Sequence, residues 1–249
     1  MTTDRASDDR ASVLRALHVP GDPVILPNVW DAASALAVRE AGFPAVATSS
    51  AAVARVLGYE DGERTPVGEM MAAVARIARV VDAPVTADIE RGYGLKPAEL
   101  VERLLATGAV GCNLEDSSAG GLIDPGEQAD FLAEVRAAAG QALVINARVD
   151  TYLFGPRTRE AALERGRRYL AAGADCVYPI GLADEDEIRA LVSELGAPVN
   201  VYVRPGAPEP ARLAELGVAR ISFGSGLHQA VQVYAQGLIA EVRAGRSPY

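Results

Sequence analysis

The chain contains one lysine, Lys96, in 249 residues. Schiff-base chemistry needs a lysine in a desolvated pocket. Lys96 stands before Pro97 in a loop that opens a helix, where a solvated side chain is expected, so that chemistry is set aside. There are two histidines, His18 and His228. Both fall on segments read as helices, as surface or packing residues, and no spacing suggests a histidine metal site. The two cysteines, Cys112 and Cys176, sit inside expected strands and read as buried thiols rather than a disulfide framework or a zinc site. No apolar run approaches the roughly 20 residues of a membrane span. Residues 1–10 are polar and charged, unlike a secretory signal, so a soluble cytoplasmic protein is expected. The net charge is -9 without a basic patch, which argues against nucleic acid and anionic membrane as partners. No Ser/His/Asp or Cys/His set, P-loop or dinucleotide fingerprint occurs.

What is present is a repeated alternation of short apolar runs and helical stretches. A leading helix is expected over about 7–17, carrying Val13, Leu14 and Leu17 at helical spacing. Strands are expected at 24–29, 45–49, 84–88, 110–114, 143–148, 175–179, 198–203 and 219–223. Helical segments lie between them, among them 32–41, one running through Leu57, and about 66–81. Many close on a glycine, as at Gly42, Gly108, Gly173, Gly196 and Gly217. Parallel strands need helical crossovers, and eight such strands favour a closed (β/α)8 TIM-type barrel over an open sheet. The fold class expected is therefore α/β, a single barrel domain over 1–249, with 1–20 as a helical lead-in. Insertions follow the second strand (58–65), the fourth (117–125) and the fifth (152–158).

In such an architecture chemistry occurs at the carboxyl ends of the strands. The ends supply Trp30 and Asp31, Ser49 and Ser50, Asp88 and Glu90, Glu115 and Asp116, Arg148 and Asp150, Pro179, Asn200 and Tyr202, then Gly224 and Ser225. Residues two apart on a strand share a face, so Asp88 and Glu90 are expected to converge. Two acids after an apolar run make a seat for a hard divalent cation; the alternative is paired acids solvated at a loop. Arg148 is costly to bury without a partner, and its fork suits a substrate carboxylate or phosphate. The alternative is an ion pair with Glu115 or Asp150 that ties strand ends together. Ser49 and Ser50 open a helix whose amides suit an anion, or simply cap it. The turn Phe223-Gly-Ser-Gly226 resembles a phosphate-binding barrel loop.

The order and spacing of several segments resemble the isocitrate lyase and phosphoenolpyruvate mutase superfamily. They are Pro27-Asn-Val-Trp-Asp31, Ala41-Gly-Phe with Thr48-Ser-Ser50, Leu57-Gly-Tyr-Glu-Asp61, Asp88-Ile-Glu-Arg-Gly-Tyr-Gly94, Asn113-Leu-Glu-Asp116 and Ala147-Arg-Val-Asp150. The resemblance implies a tetrameric barrel whose C-terminal helix, 225–249, is exchanged between neighbours. It implies Mg²⁺, with Mn²⁺ as the alternative, and a small 2-oxo (di)carboxylate that passes through an enolate. By position Asp88 becomes the direct metal ligand, with Asp61, Glu90 and Glu115 holding the metal through waters. Ser49, Ser50 and Arg148 take the substrate carboxylate, and Trp30 and Asn200 join the substrate site. Arg148 and Glu115, with Ser117 and Ser118, form the catalytic set.

The sequence departs from the superfamily in the loop after the fourth strand. The lyases carry a Lys-Lys-Cys-Gly type motif there, and the mutase a lysine and an asparagine. Here it reads Ser117-Ser-Ala-Gly-Gly-Leu-Ile-Asp124. Ser117, Ser118 and Asp124 are left to orient a water, and cleavage of isocitrate or methylisocitrate is expected to be absent or very slow. The expected function is C–C or C–P bond cleavage or hydrolysis next to a 2-oxo acid, on an oxaloacetate- or phosphonopyruvate-like substrate. The alternatives are a phosphosugar-type barrel enzyme and a barrel that binds 2-oxo acids without turnover.

Overall fold

The computed structural model describes residues 2–118 and 121–249, with residues 2–8 by backbone alone. Its helices are α1 (Thr2–Ala16), α2 (Ala32–Glu40), α3 (Ser50–Leu57), α4 (Val67–Val80), α5 (Pro97–Ala106), α6 (Pro125–Ala139), α7 (Thr151–Phe154), α8 (Arg159–Ala171), α9 (Glu185–Leu195), α10 (Pro210–Glu215) and α11 (Gly226–Arg243). Its strands are β1 (His18–Val19), β2 (Asp22–Leu26), β3 (Asn28–Val29), β4 (Val46–Thr48), β5 (Val85–Asp88), β6 (Gly111–Leu114), β7 (Ser117–Ser118), β8 (Gly121–Leu122), β9 (Val144–Arg148), β10 (Cys176–Tyr178), β11 (Asn200–Tyr202) and β12 (Arg220–Ser222).

Local chemistry explains the punctuation. Asp31 caps α2 in a reciprocal capping box with Ser34, and Ser49 caps α3 through the amide of Ala52. Asp184 caps α9 through two amides, and Gly196 ends it in the left-handed conformation that lacks a Cβ penalty.

The strands form one sheet in the order β1-β2-β12-β11 and another in the order β10-β9-β6-β5-β4-β3. All pairings in them are parallel except the β1–β2 hairpin. Pro27 alone separates β2 from β3. It carries no N–H to continue a ladder, and across it the pairing partner changes from β12 to β4. At the opposite edges a parallel bridge joins Val177 to Val199. The fold is thus α/β, with each parallel strand followed by a helix. β6 and β4 are buried along their whole length, as strands covered on both faces must be.

The main core lies between these strands and the helices outside them, drawing on Ile77, Leu100, Leu104, Leu132 and Ile145. A second cluster gathers Val24, Ala45, Val110 and Val144, which open their strands, against Ala11 and Leu14 of α1. The leading helix therefore covers the amino ends of the strands.

Several expectations are corrected. The leading helix begins at Thr2 rather than near residue 7, and His18 lies on a strand, buried, rather than on a helix. Its ring is turned back on the helix, Nδ1 donating to the Leu14 carbonyl at 2.8 Å. The loop after β6 holds an antiparallel hairpin, β7 with β8, and the 152–158 insertion holds part of α7; neither was legible. Ala119 and Gly120, within that loop motif, and Met1 lie outside the described residues. Cys112 and Cys176 are free and buried, as expected, and burial pushes both thiols up to about 12.

Candidate active site

Asp88 ends β5, and its backbone and side chain are tied to the neighbouring strand end. Its amide donates to Thr48 Oγ1 at 2.9 Å. Its Oδ2 accepts from the Ser50 amide at 3.1 Å and the Ser50 hydroxyl at 2.8 Å. Its Oδ1 is buried with no hydrogen-bond partner among the described residues.

Glu90 follows just beyond the strand, at a positive φ of 51°. That turn, rather than strand parity, aims its carboxylate. Oε1 accepts from the Tyr93 hydroxyl at 2.7 Å and Oε2 from the Glu63 amide at 2.5 Å. Burial, with Asp61 and Asp88 nearby and against those two donors, pushes the Glu90 carboxyl up to about 7. Asp61 is also raised, by burial and then by Asp88. Glu115, at the end of β6, is pushed up to about 9 by burial, with Arg148 opposing and Asp150, Asp88 and Glu90 adding to it.

Arg148 ends β9 and makes both ion pairs that its sequence position allowed. Nε and Nη2 donate to the two oxygens of Asp150 at 2.6 and 2.9 Å, and Nη1 lies 2.5 Å from Glu115 Oε2. Burial works against its charge, but Asp150 and Glu115 outweigh burial and raise its pKa. Asp150 is itself braced: its amide donates to Asp116 Oδ1 at 2.8 Å, and the Ser117 hydroxyl donates to its Oδ2 at 2.5 Å. Asp116 in turn accepts from Arg165 at 2.8 Å and the Tyr169 hydroxyl at 2.7 Å.

These groups border two adjoining cavities. The inner one, of about 300 Å³, is reached by Ser49, Ser50, Asp88 and Arg148. The outer one is reached by Glu90, Glu115, Ser117 and Ser118. Asp61, Arg148 and Phe154 line both. The four acids and Arg148 thus meet at one end of the strands.

The structure does not bring every expected residue to them. Trp30 lies outside both cavities. It packs with Val53, Met70 and Ala73, its indole edge-on to His228 with ring centroids 5.0 Å apart. Asn200 is fully buried one layer beneath, accepting from Ser222 Oγ at 3.2 Å. Asp124 Oδ1 caps α6, accepting from the amides of Gly126 and Glu127, and Asp124 lines neither cavity. Ser50 does line the inner cavity, but its amide and hydroxyl both donate to Asp88.

Sequence reasoning missed Asn28, Asn113, Tyr178 and Ser222, which line the inner cavity. Counting back two residues along each strand would have found Asn113 from Glu115. Leu153 and Phe154 also line it, and no signal marked them.

A hard cation fits this donor set. Asp88 Oδ1 is buried without a hydrogen-bond partner among the described residues, and burial first, with like charge added, raises the neighbouring Asp61, Glu90 and Glu115. Among the described residues no three His, Cys, Asp or Glu side chains are close enough to hold an ion by themselves.

The family described as phosphoenolpyruvate phosphomutase matches residues 14–243. An uncharacterized protein of Mycobacterium tuberculosis is 38% identical over 232 residues, 93% of this chain and 86% of the other. An oxaloacetate decarboxylase of Pseudomonas entomophila is 29% identical over 87% of this chain and 78% of its own. The crystal structure of 2,3-dimethylmalate lyase, a member of the phosphoenolpyruvate mutase/isocitrate lyase superfamily, superposes with a TM-score of 0.83. It is 26% identical and covers 96% of this chain and 88% of that one.

Proposed function

The chain belongs to the phosphoenolpyruvate phosphomutase family, and from that premise we propose that it is a Mg²⁺-dependent enzyme acting on a small 2-oxo acid through an enolate. The reaction is cleavage or hydrolysis of a C–C or C–P bond beside the oxo group. The observation that carries this reading is the bare, buried Asp88 Oδ1 beside Asp61, Glu90, Glu115 and Arg148.

Asp88 would hold the cation directly, and Asp61, Glu90 and Glu115 through waters. Bound there, it would neutralise the charge that builds on an enolate oxygen. Arg148 carries five N–H donors. Two of them donate to Asp150, Nη1 also pairs with Glu115, and the rest are open to a substrate carboxylate. The Ser49 hydroxyl and the first-turn amide of α3 at Ala51 border the same space and suit the same anion. Ser117, fixed on Asp150, positions Arg148 and is not free to serve as proton donor. Ser118 is exposed on the outer cavity and is the hydroxyl left to order a water.

The ladders, the Val177–Val199 bridge and the Pro27 junction support a ring of eight parallel strands, a TIM-type barrel with the site at its carboxyl end. Beyond His228, α11 buries nothing against its own chain, which supports exchange of this helix in a tetramer. We place the enzyme in the cytoplasm. At Gly224 a Cβ would lie 2.9 Å from the Tyr202 ring, so the ring packs against one side of the turn that the phosphosugar reading would use, while Gly224 and Ser225 still line the inner cavity.

The test is calorimetry with Mg²⁺ on wild type and Asp88→Ala. Loss of a direct ligand should exceed the 10- to 100-fold that outer partners typically cost, so a drop of at least about 100-fold is expected. Equal affinity excludes the assignment. Retention of 2-oxo acid binding without turnover of any would leave the binding-only reading.

A further inference from the structure

The inner cavity has the wrong electrostatics for a second carboxylate. Arg148 is the only Lys or Arg among its lining residues, and Asp61 and Asp88 line it too. Two of the five guanidinium N–H groups donate to Asp150, and Nη1 also pairs with Glu115. A guanidinium already facing two acids is left with little charge to balance more than one further carboxylate. The other anion seat within reach, the start of α11, is partly engaged. Gly226 donates its amide to the Phe223 carbonyl at 3.0 Å, Ser225 Oγ accepts from Gln229 Nε2 at 2.9 Å, and the Tyr202 ring lies over Gly224.

Part of what faces the rest of a bound molecule is apolar, beside the polar Asn28, Asn113, Ser222 and Ser225. Leu153 and Phe154 project from α7, and Ile180 from the turn after β10, into the same space as Tyr178 and Tyr202. Leu153 and Phe154 are 38% and 47% exposed, large hydrophobic side chains left at the mouth of a polar cavity. An exposed apolar surface beside a binding site costs solubility unless a ligand covers it. A carboxylate placed against Leu153, Phe154 and Ile180 would lose its hydration without gaining a donor from them.

Resting on the 2-oxo acid reading above, we propose that the natural ligand is a 2-oxo monocarboxylate with an apolar tail. Its single carboxylate meets Arg148, and its tail packs on Leu153, Phe154 and Ile180. The chain then differs in specificity from an enzyme of oxaloacetate, whose second carboxylate finds no second cation in this cavity.

The experiment is calorimetry on the full chain with saturating Mg²⁺, using oxalate, 2-oxoglutarate and 5-methyl-2-oxohexanoate. The last two share a backbone and differ in a distal carboxylate against an isopropyl group of similar size. Oxalate, which presents only the metal-side half of the ligand, should bind. The isopropyl compound should bind at least about tenfold tighter than 2-oxoglutarate, since pockets discriminate by that much per mismatched group. Phe154→Arg should move that ratio at least about tenfold towards 2-oxoglutarate by supplying the missing cation. If 2-oxoglutarate binds as tightly as the isopropyl compound, or Phe154→Arg leaves the ratio where it was, the apolar-tail inference is overturned while oxalate binding keeps the 2-oxo acid reading. If oxalate itself fails to bind, that reading falls and this inference falls with it.

Discussion

Arg148 and Asp150 form a buried pair in which neither partner is expendable. Asp150 is fully buried and accepts two N–H groups from Arg148. Arg148→Ala would strand the buried Asp150 charge. Removing one partner of a buried pair costs roughly 3–5 kcal/mol, so the variant should lose about that in urea unfolding as well as its 2-oxo acid binding. Arg148→Lys should recover little of either, because a point charge cannot reproduce the two-pronged contact. Unaltered oxalate affinity in the alanine variant would remove Arg148 from the site.

His18 makes a separate prediction about pH. Burial, and then Arg220, lower its pKa to about 4. With Nδ1 donating to Leu14, Nε2 holds a buried lone pair without a partner among the described residues. The folded pKa lies below the unfolded value of 6.5, so this residue's contribution is intact above pH 6.5. It is lost as pH falls towards 4, because the unfolded chain binds a proton that the native one refuses. Between pH 7 and pH 5, wild type should lose about 2 kcal/mol more than His18→Gln in urea titrations. Parallel losses in the two proteins would remove His18 as the cause.

Elements meet where small residues permit it, and α1 is the clearest case. Gly111 opens β6, and a Cβ built on it would lie 2.7 Å from Leu14 Cδ2 and 2.9 Å from Thr86 Oγ1. The leading helix therefore docks over the amino ends of the strands through a contact that only glycine allows. Gly111→Ala forces Leu14 or the helix to shift. Overpacking of this kind costs about 1–3 kcal/mol, and the loss should appear in urea unfolding together with faster proteolysis within α1. A change under about 0.5 kcal/mol, the range of neutral surface substitutions, would show that α1 adjusts freely. At the other end of the strands the short α7 does the reverse, holding Leu153 and Phe154 out at the mouth of the cavity.

For the whole molecule the open question is what covers α11. Its Val231, Val233, Tyr234, Ile239 and Val242 are exposed, Tyr234 at 71% and Ile239 at 66%. On one 18-residue helix this is more apolar surface than a monomer normally leaves in water. Val231→Glu combined with Tyr234→Glu should convert the assembly to smaller species in sedimentation, with circular dichroism unchanged. Wild type that sediments as a monomer would sink the exchanged-helix proposal directly. Trp30 gives such an assembly a link to the site: it joins His228 at the start of α11 to Val53 on α3, the helix whose Ser50 holds Asp88.

The residue pattern by itself determined the alternation of strand and helix, the caps, and the positions of Asp88, Glu115 and Arg148 at strand ends. These follow from local periodicity and from which residues stop an element, and both are written in neighbours along the chain. Tertiary structure decided the rest. It turned Trp30 away from the cavity and put Asn200 a layer below it. It committed Ser117 to Asp150, and it brought Leu153 and Phe154 from an unremarkable insertion to the mouth. It also divided Arg148 between two acids. Such outcomes depend on which groups from distant segments arrive at the same point and compete for the same hydrogen bonds. A strand's sequence fixes which face a side chain takes, but the partner waiting there comes from another part of the chain.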